Sequence, residues 1–280
     1  MERILTQSTI DHFCTWLKEE EKSENTVAKY IRDVTAFAAY LGETELTKET
    51  VVAYKSKLIR ENYAVRSINS MLATLNSLFA YLGRADLKAK SIKLQRQIYR
   101  SEEKELTRAE YIRLVTAARQ KGNRRLDLLI QTLCGTGIRV SELPFITVEA
   151  ATHGEAVVSL KGKTRTVFIV GELKRKLLRY AAEQKITAGA IFITRSGRPM
   201  SRTNIWREMK NLCARAAVSP NKVFPHNLRH LFARTFYGIE KDLAKLADLL
   251  GHSSIDTTRI YIITTGDEHR RRMENMRLII

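Results

Sequence analysis

The chain has 280 residues, room for one large domain or two modest ones, and its 44% hydrophobic and 28% charged content is that of a folded protein rather than a disordered one. Lys and Arg number 48 against 30 Asp and Glu, a net charge of +18 that points to a polyanionic partner, nucleic acid before an acidic membrane surface. Three scattered cysteines without a C-x-x-C pair argue against a disulfide or zinc framework, residues 1–10 do not read as a signal peptide, and no apolar run approaches the roughly 20 residues of a membrane helix, so a cytoplasmic, nucleoid-associated protein without membrane contact is expected.

Val27, Tyr30, Ile31, Val34, Phe37, Ala38 and Leu41 recur at steps of three and four, which predicts an amphipathic helix stopped by Gly42. A second helix is expected from near Thr47. A third carries Val65, Ile68, Met71, Leu72, Leu75, Leu78, Phe79 and Leu82 up to Gly83. Residues 1–90 therefore read as a helical bundle, and residues 91–105, charged with scattered apolar positions, as a linker. Thr107-Arg108-Ala109-Glu110 has the Thr-x-x-Glu spacing of a capping box, so a new helix and a second domain, residues 106–280, are placed there.

The second domain reads as helical with one strand-rich insertion. Residues 156–160 and 166–170 are short runs rich in Val and Ile, flanking Lys161-Gly162-Lys163-Thr164-Arg165, and predict a β-hairpin with a basic tip. Residues 190–194 are placed as a further strand, and helices resume near Thr203. The fold class is mainly α with a small β-hairpin or sheet: a helical bundle followed by a mixed α+β domain. Charge follows this division unevenly. Residues 51–100 hold ten basic and two acidic side chains, residues 151–200 ten and three, and the intervening 101–150 eight and seven. Two basic surfaces on one duplex would produce that pattern; so would a generally basic soluble protein.

Chemistry enters with five residues. Arg139 lies in Gly135-Thr136-Gly137-Ile138-Arg139-Val140-Ser141-Glu142-Leu143, His226 and Arg229 in Pro225-His226-Asn227-Leu228-Arg229, His252 follows Gly251, and Tyr261 stands nine residues after His252. Cleaving a phosphodiester takes a nucleophile, neutralisation of charge on the non-bridging oxygens, and a proton for the departing oxygen. Arginine can neutralise that charge in place of a metal, because its planar fork donates paired hydrogen bonds and stays charged. No metal or nucleotide cofactor is expected: Gly162-Lys163-Thr164 has only the tail of a phosphate-binding G-x-x-x-x-G-K-[ST] loop.

Individually these motifs have plainer readings. Pro225 suits the first turn of a helix that would carry His226, Arg229, His230 and Ala233 on one side and Leu228, Leu231, Phe232 and Thr235 on the other, and that polar side could simply be solvated. Residues 242–250 present Leu243, Leu246, Ala247 and Leu250 on one stripe up to Gly251, and Ser253 with Asp256 is placed to cap a following helix carrying Tyr261. That helix–glycine–helix segment also matches a DNA-binding helix-turn-helix.

Taken in order, Gly-Thr-Gly-Ile-Arg139-Val-Ser-Glu-Leu, His226-x-x-Arg229, Leu-Gly-His252 and Tyr261 resemble the tyrosine recombinase (phage integrase) family. The likeness extends to Asn25-Thr26-x-x-x-Tyr30 and Leu106-Thr107-x-x-Glu110. The resemblance implies a core-binding domain and a catalytic domain of the DNA breaking-rejoining type, clamping double-stranded DNA. It implies that Arg139 and Arg229 hold the scissile phosphate, that Tyr261 attacks it to give a 3′-phosphotyrosyl link, that His226 assists proton transfer and that His252 hydrogen-bonds a non-bridging oxygen. A hairpin lysine would protonate the leaving 5′-oxygen; the turn is shorter than the family's usual form, which leaves Lys161 and Lys163 as candidates, with Lys161 preferred because it precedes the glycine.

Other residues have quieter expectations. Glu142 is expected to orient Arg139 or a helix N-terminus, His230 to be structural or a phosphate contact, His153 and His269 to lie on the surface, and the cysteines to pack. Tyr237 lacks the spacing of a nucleophile. Residues 262–280 contain Arg270-Arg271-Arg272 and end in apolar Leu278, Ile279 and Ile280. The resemblance implies that this tail docks on a neighbouring protomer in a homo-tetramer on DNA; the alternative is packing on its own domain. Two rival functions stand beside the leading one: a type IB topoisomerase with the same chemistry, and a non-catalytic helix-turn-helix regulator.

Overall fold

Side-chain caps and glycines set where the helices begin and stop. The computed structural model describes residues 5–93, 104–160, 162–261 and 273–276. In it Thr6 accepts from the Thr9 backbone N–H to start α1 (Gln7–Glu19), and α2 (Glu24–Leu41) ends at Gly42, whose φ is +56°. A capping box of Thr47 and Thr50 starts α3 (Lys48–Arg60), and α4 (Val65–Tyr81) runs on to Gly83. The start expected near Thr47 is that of α3, and the apolar periodicity located α2 and α4. It missed α1, whose buried side is only Ile10, Phe13 and Leu17 beside Thr9.

By its internal contacts the chain separates into two compact units, Met1–Arg96 and Gln97–Ile280. The first is built on Phe13, Phe37, Leu72, Leu75, Leu78 and Phe79, all fully buried. Phe37 meets Tyr54 and Phe79 edge-on at 5.0 and 6.2 Å. Its one buried carboxylate among the described residues, Asp33, is held by Lys29 at 2.6 Å and by the Thr74 hydroxyl at 3.1 Å, so the charge is paired where water is excluded.

The second unit begins with the expected capping box: Thr107 accepts from Glu110 N, and Glu110 accepts from Thr107 N at 2.8 Å, starting α5 (Arg108–Gln120). α6 (Arg124–Thr136) follows and stops at Gly137 in the left-handed conformation. A 3-10 turn (Val140–Phe145) and α7 (Val148–His153) lead into the hairpin of β1 (Glu155–Leu160) and β2 (Lys163–Phe168). Then come α8 (Gly171–Glu183), α9 (Arg202–Lys210), the single turn α10 (Cys213–Ala216), α11 (Pro225–Glu240), α12 (Leu243–Leu250) and α13 (Ile255–Arg259). α6 is central, packed by α5, α8 and α11, and its Leu129, Ile130 and Leu133 are fully buried.

The architecture is the mainly α fold with a small antiparallel sheet that the sequence predicts, with three local differences. β2 starts at Lys163 rather than 166, because Gly162 at φ +71° supplies the positive φ that a two-residue hairpin connection needs, so pairing reaches Leu160↔Lys163. Residues 190–194 form no strand. They make single bridges, Ala190 to Thr147 and Ile193 to Pro199, since Gly189 and Gly197 turn the chain at either side and Pro199 has no N–H to extend a ladder. Ser254, not Ser253, caps α13, and Tyr261 sits just beyond that helix, its N–H donating to the Thr258 carbonyl. Among the described residues no helix is long and apolar enough to cross a membrane.

Candidate active site

Four segments of the second unit converge at the end of α6. Gly137 lets the chain turn sharply there: a Cβ at this position would stand 2.5 Å from the Phe232 ring. Two residues later Arg139 opens the 3-10 turn, and the Glu142 carboxylate takes hold of it twice, accepting from its backbone N–H at 2.9 Å and from Nη1 at 2.8 Å. Arg139 Nη2 donates to the Gly251 carbonyl at 3.2 Å. Glu142 thus orients Arg139, one of the two partners expected for it.

Arg229 comes from the second turn of α11, which Pro225 starts at a position needing no backbone donor. The helix side shared with His226 is not solvated as a whole: Arg229 is 1% exposed, His230 is buried, and only His226 is exposed. The Arg229 fork donates to the carbonyls of Gly137 and Leu250, both at 2.6 Å, and Nη2 lies 2.9 Å from His252 Nε2. Its Nε is buried with no acceptor among the described residues. Burial, and then the nearby Arg139 charge, push its pKa down to about 10 against the opposing influence of Tyr261, so it remains a cation at neutral pH.

His252 occupies the turn between α12 and α13, where Gly251 adopts the left-handed cap. A guanidinium can only donate, so Nε2 accepts from Arg229 and Nδ1 carries the proton that goes to the Thr258 hydroxyl at 2.8 Å. Burial first, then the charges of Arg229, Arg139 and Arg165, hold the imidazole down at about 4 and therefore neutral. Glu142 is shifted in the opposite sense to its burial: desolvation raises it, but the Arg139 backbone N–H and the Arg139 and Arg165 guanidiniums more than offset that and hold it below the usual carboxylate range.

Tyr261 closes the group. It is 6% exposed, with its ring 4.2 Å from that of His230, 5.4 Å from His226 and 5.2 Å from His252, and with the Arg229 guanidinium carbon 5.9 Å from the ring centre. Five of the six residues singled out in the sequence, Arg139, His226, Arg229, His252 and Tyr261, therefore meet in one place. The sixth, Lys161, lies outside the described residues, as does most of the tail from 262 onward. Tyr237 lies among the apolar residues beside this group, packed with Ala233, Leu246 and Leu250.

Two members went unread or under-read in the sequence. His230 stacks on the Tyr261 ring, although its shared face with Arg229 was plain. The sequence places Arg165 in a basic hairpin tip, whereas in the structure it reaches Glu142 at 2.7 Å and the Leu249 carbonyl at 2.6 Å. Strand alternation carries the missing signal, because Arg165 shares the inner face with Val167, which is 2% exposed. Chemically, the group sets convergent fixed cations and a neutral imidazole around a phenol, an arrangement suited to an anionic group that the phenol can attack.

Comparison with known proteins agrees with this geometry. Residues 104–266 match the model of the phage integrase family, and residues 10–86 match the phage integrase N-terminal SAM-like domain. The tyrosine recombinase XerA of Pyrococcus horikoshii is 28% identical over 285 residues, spanning 99% of this chain and 96% of that protein. XerA of Thermococcus onnurineus is 30% identical over 278 residues, spanning 96% and 95%. Among solved structures, the XerH site-specific recombinase bound to its difH substrate in a pre-cleavage complex shares the fold with a TM-score of 0.72 at 18% identity, covering 98% of this chain and 85% of that one. The chain belongs to the phage integrase family and is a tyrosine recombinase, a site-specific enzyme that breaks and rejoins DNA strands.

Proposed function

We propose that Tyr261 is the nucleophile of this recombinase and that Arg139 and Arg229 clamp the scissile phosphate of double-stranded DNA. The Tyr261 oxygen forms a bond to phosphorus as the bond to the 5′-oxygen breaks, leaving a 3′-phosphotyrosyl ester and a free 5′-hydroxyl. His226, the exposed histidine beside the Tyr261 ring, takes up the phenolic proton, and Lys161 supplies the proton to the departing oxygen. His252 completes the cradle of the non-bridging oxygens. Because the ester keeps the bond energy, a second strand's 5′-hydroxyl reverses the step without ATP. The observation that carries this reading is the convergence of Arg139, His226, Arg229 and His252, from three chain segments, around one tyrosine on a fourth.

The flanking parts take roles in the same reading. Residues 1–90, a helical bundle whose basic side chains are concentrated after residue 50, bind the core of the DNA site, residues 91–105 link, and residues 106–280 catalyse and assemble. Met273 and Met276 are 70% and 59% exposed, which supports a tail that docks on a neighbouring protomer in a homo-tetramer on DNA. The test uses duplexes enriched by binding from a random pool, nicked so that cleavage releases a short strand and traps the covalent complex. The full chain is expected to give a protein–DNA adduct that resists denaturation, and Tyr261→Phe none; an adduct with Tyr261→Phe overturns the assignment. On paired sites a chain ending at Met276 still forms the adduct but no longer holds two duplexes together, whereas unchanged pairing removes the docking role of the tail.

A further inference from the structure

Arg165 projects from β2 toward the site and is 12% exposed. Nη2 donates to Glu142 Oε2 at 2.7 Å, and Nη1 donates to the Leu249 carbonyl at 2.6 Å. Its stem lies against Gly251 so closely that a Cβ there would stand 2.2 Å from Arg165 Cδ. Both ends of its fork are thus held by protein, while its Nε is buried with no acceptor among the described residues. The partners matter more than the bonds. Glu142 Oε1 holds Arg139, while the carbonyls of Leu250 and Gly251, next along the chain from Leu249, accept from Arg229 and Arg139. Arg165 therefore fastens the carboxylate and the backbone turn on which both of those arginines rest, and the same turn carries His252.

We propose that Arg165 is a positioning residue for the phosphate clamp, fixing Glu142 and the turn at 249–252 so that Arg139, Arg229 and His252 hold their places during strand cleavage. Positioning in this sense presupposes the reading of Arg139 and Arg229 as that clamp. Lysine cannot replace it fully, because a single ammonium does not span a carboxylate and a carbonyl as a planar fork does.

The test is single-turnover cleavage by the full chain of a nicked duplex carrying either the ordinary scissile phosphate or a methylphosphonate at that position. The methylphosphonate lacks the non-bridging charge, so a loss in charge neutralisation is felt less on it, whereas a general loss of folding lowers both rates alike. Arg165→Met is expected to slow cleavage of the phosphate duplex about 100-fold, as small misplacements of catalytic groups do, with DNA affinity changed by less than about threefold. On the methylphosphonate the deficit is expected to fall to about tenfold or less, and Arg165→Lys to lie between Arg165→Met and the unaltered chain on both substrates. Equal deficits on the two duplexes, or cleavage by Arg165→Met at the unaltered rate, overturn the proposal. If Arg165→Met does not fold, the same two criteria are applied to Arg165→Lys. Arg139→Ala separates the two levels: if it too shows no relief on the methylphosphonate, the clamp reading fails, and if it is relieved while Arg165→Met is not, only the role of Arg165 fails.

Discussion

The large core of the second unit and the small cluster beside Tyr261 are made of different materials. The first is continuous and apolar, with Leu114, Leu129, Leu133, Ile146, Leu177 and Leu228 fully buried around α6. The second has only Ala233, Leu246, Leu250 and Tyr261 at its centre, and it stands against buried Arg229, His230, Glu142 and Thr258. Apolar burial stabilises without direction, and the first region is tolerant in geometry but sensitive in volume. The second holds its shape through aimed hydrogen bonds to the carbonyls of Gly137, Leu249, Leu250 and Gly251. Such bonds add modestly to net stability yet fix where each guanidinium sits. The comparison teaches that stability and reactivity are supplied by neighbouring but separable parts of one domain.

That separation can be broken by experiment. The largest stability effect is expected from Leu133→Ala, which leaves a cavity against α11 and lowers unfolding free energy by about 2–5 kcal/mol in denaturant titrations. Cleavage per folded molecule should stay unchanged; a tenfold or greater drop would show that the two regions are not separable. Gly137→Ala comes next, at about 1–3 kcal/mol, from a left-handed φ of +62° and a Cβ 2.5 Å from Phe232. Here the order reverses: the Gly137 carbonyl that accepts from Arg229 is displaced, so the single-turnover cleavage rate is expected to fall by more than stability alone explains. Wild-type cleavage by this variant would detach the carbonyl from the site.

The smallest effect is a pH dependence. The folded-state pKa of His252, about 4, lies below the ordinary 6.5, so between those values the unfolded chain binds a proton that the folded chain does not. The contribution is complete above pH 6.5 and is lost as the pH falls toward 4. It amounts to about 1–2 kcal/mol once the half-exposure of the ring is allowed for. His252→Asn should flatten the stability profile in that window relative to the unaltered chain, and parallel profiles would remove the burial argument.

What the sequence disclosed was mostly local. Thr47 and Thr107 announce helix starts and Gly42, Gly83 and Gly251 announce stops, because a cap or a left-handed turn is satisfied within a few residues. The cluster around Tyr261 was legible for a different reason: Arg139, His226, Arg229, His252 and Tyr261 are residue types with few equivalents in phosphoryl chemistry, and their order is that of a family. Arg165 and His230 were not, because their roles depend on which way a side chain points across a tertiary gap. A basic hairpin tip and an inward strand position look alike until the register is known, and here it begins at Lys163 rather than Thr166. Helix α1 was legible too and went unread: Ile10, Phe13, Cys14 and Leu17 stand at the i, i+3, i+4, i+7 spacing of an amphipathic helix that packs against α2.

The closeness of Gly251 to Arg165 has a consequence for descent. A side chain at 251 and an arginine at 165 compete for the same space, so position 251 cannot take a side chain while the arginine keeps its place. Substitution at 251 first requires a shorter residue at 165, and that residue in turn abandons the Glu142 carboxylate in the interior. A lineage that loses the glycine should therefore be found to have lost the arginine, with a different solution for holding Glu142.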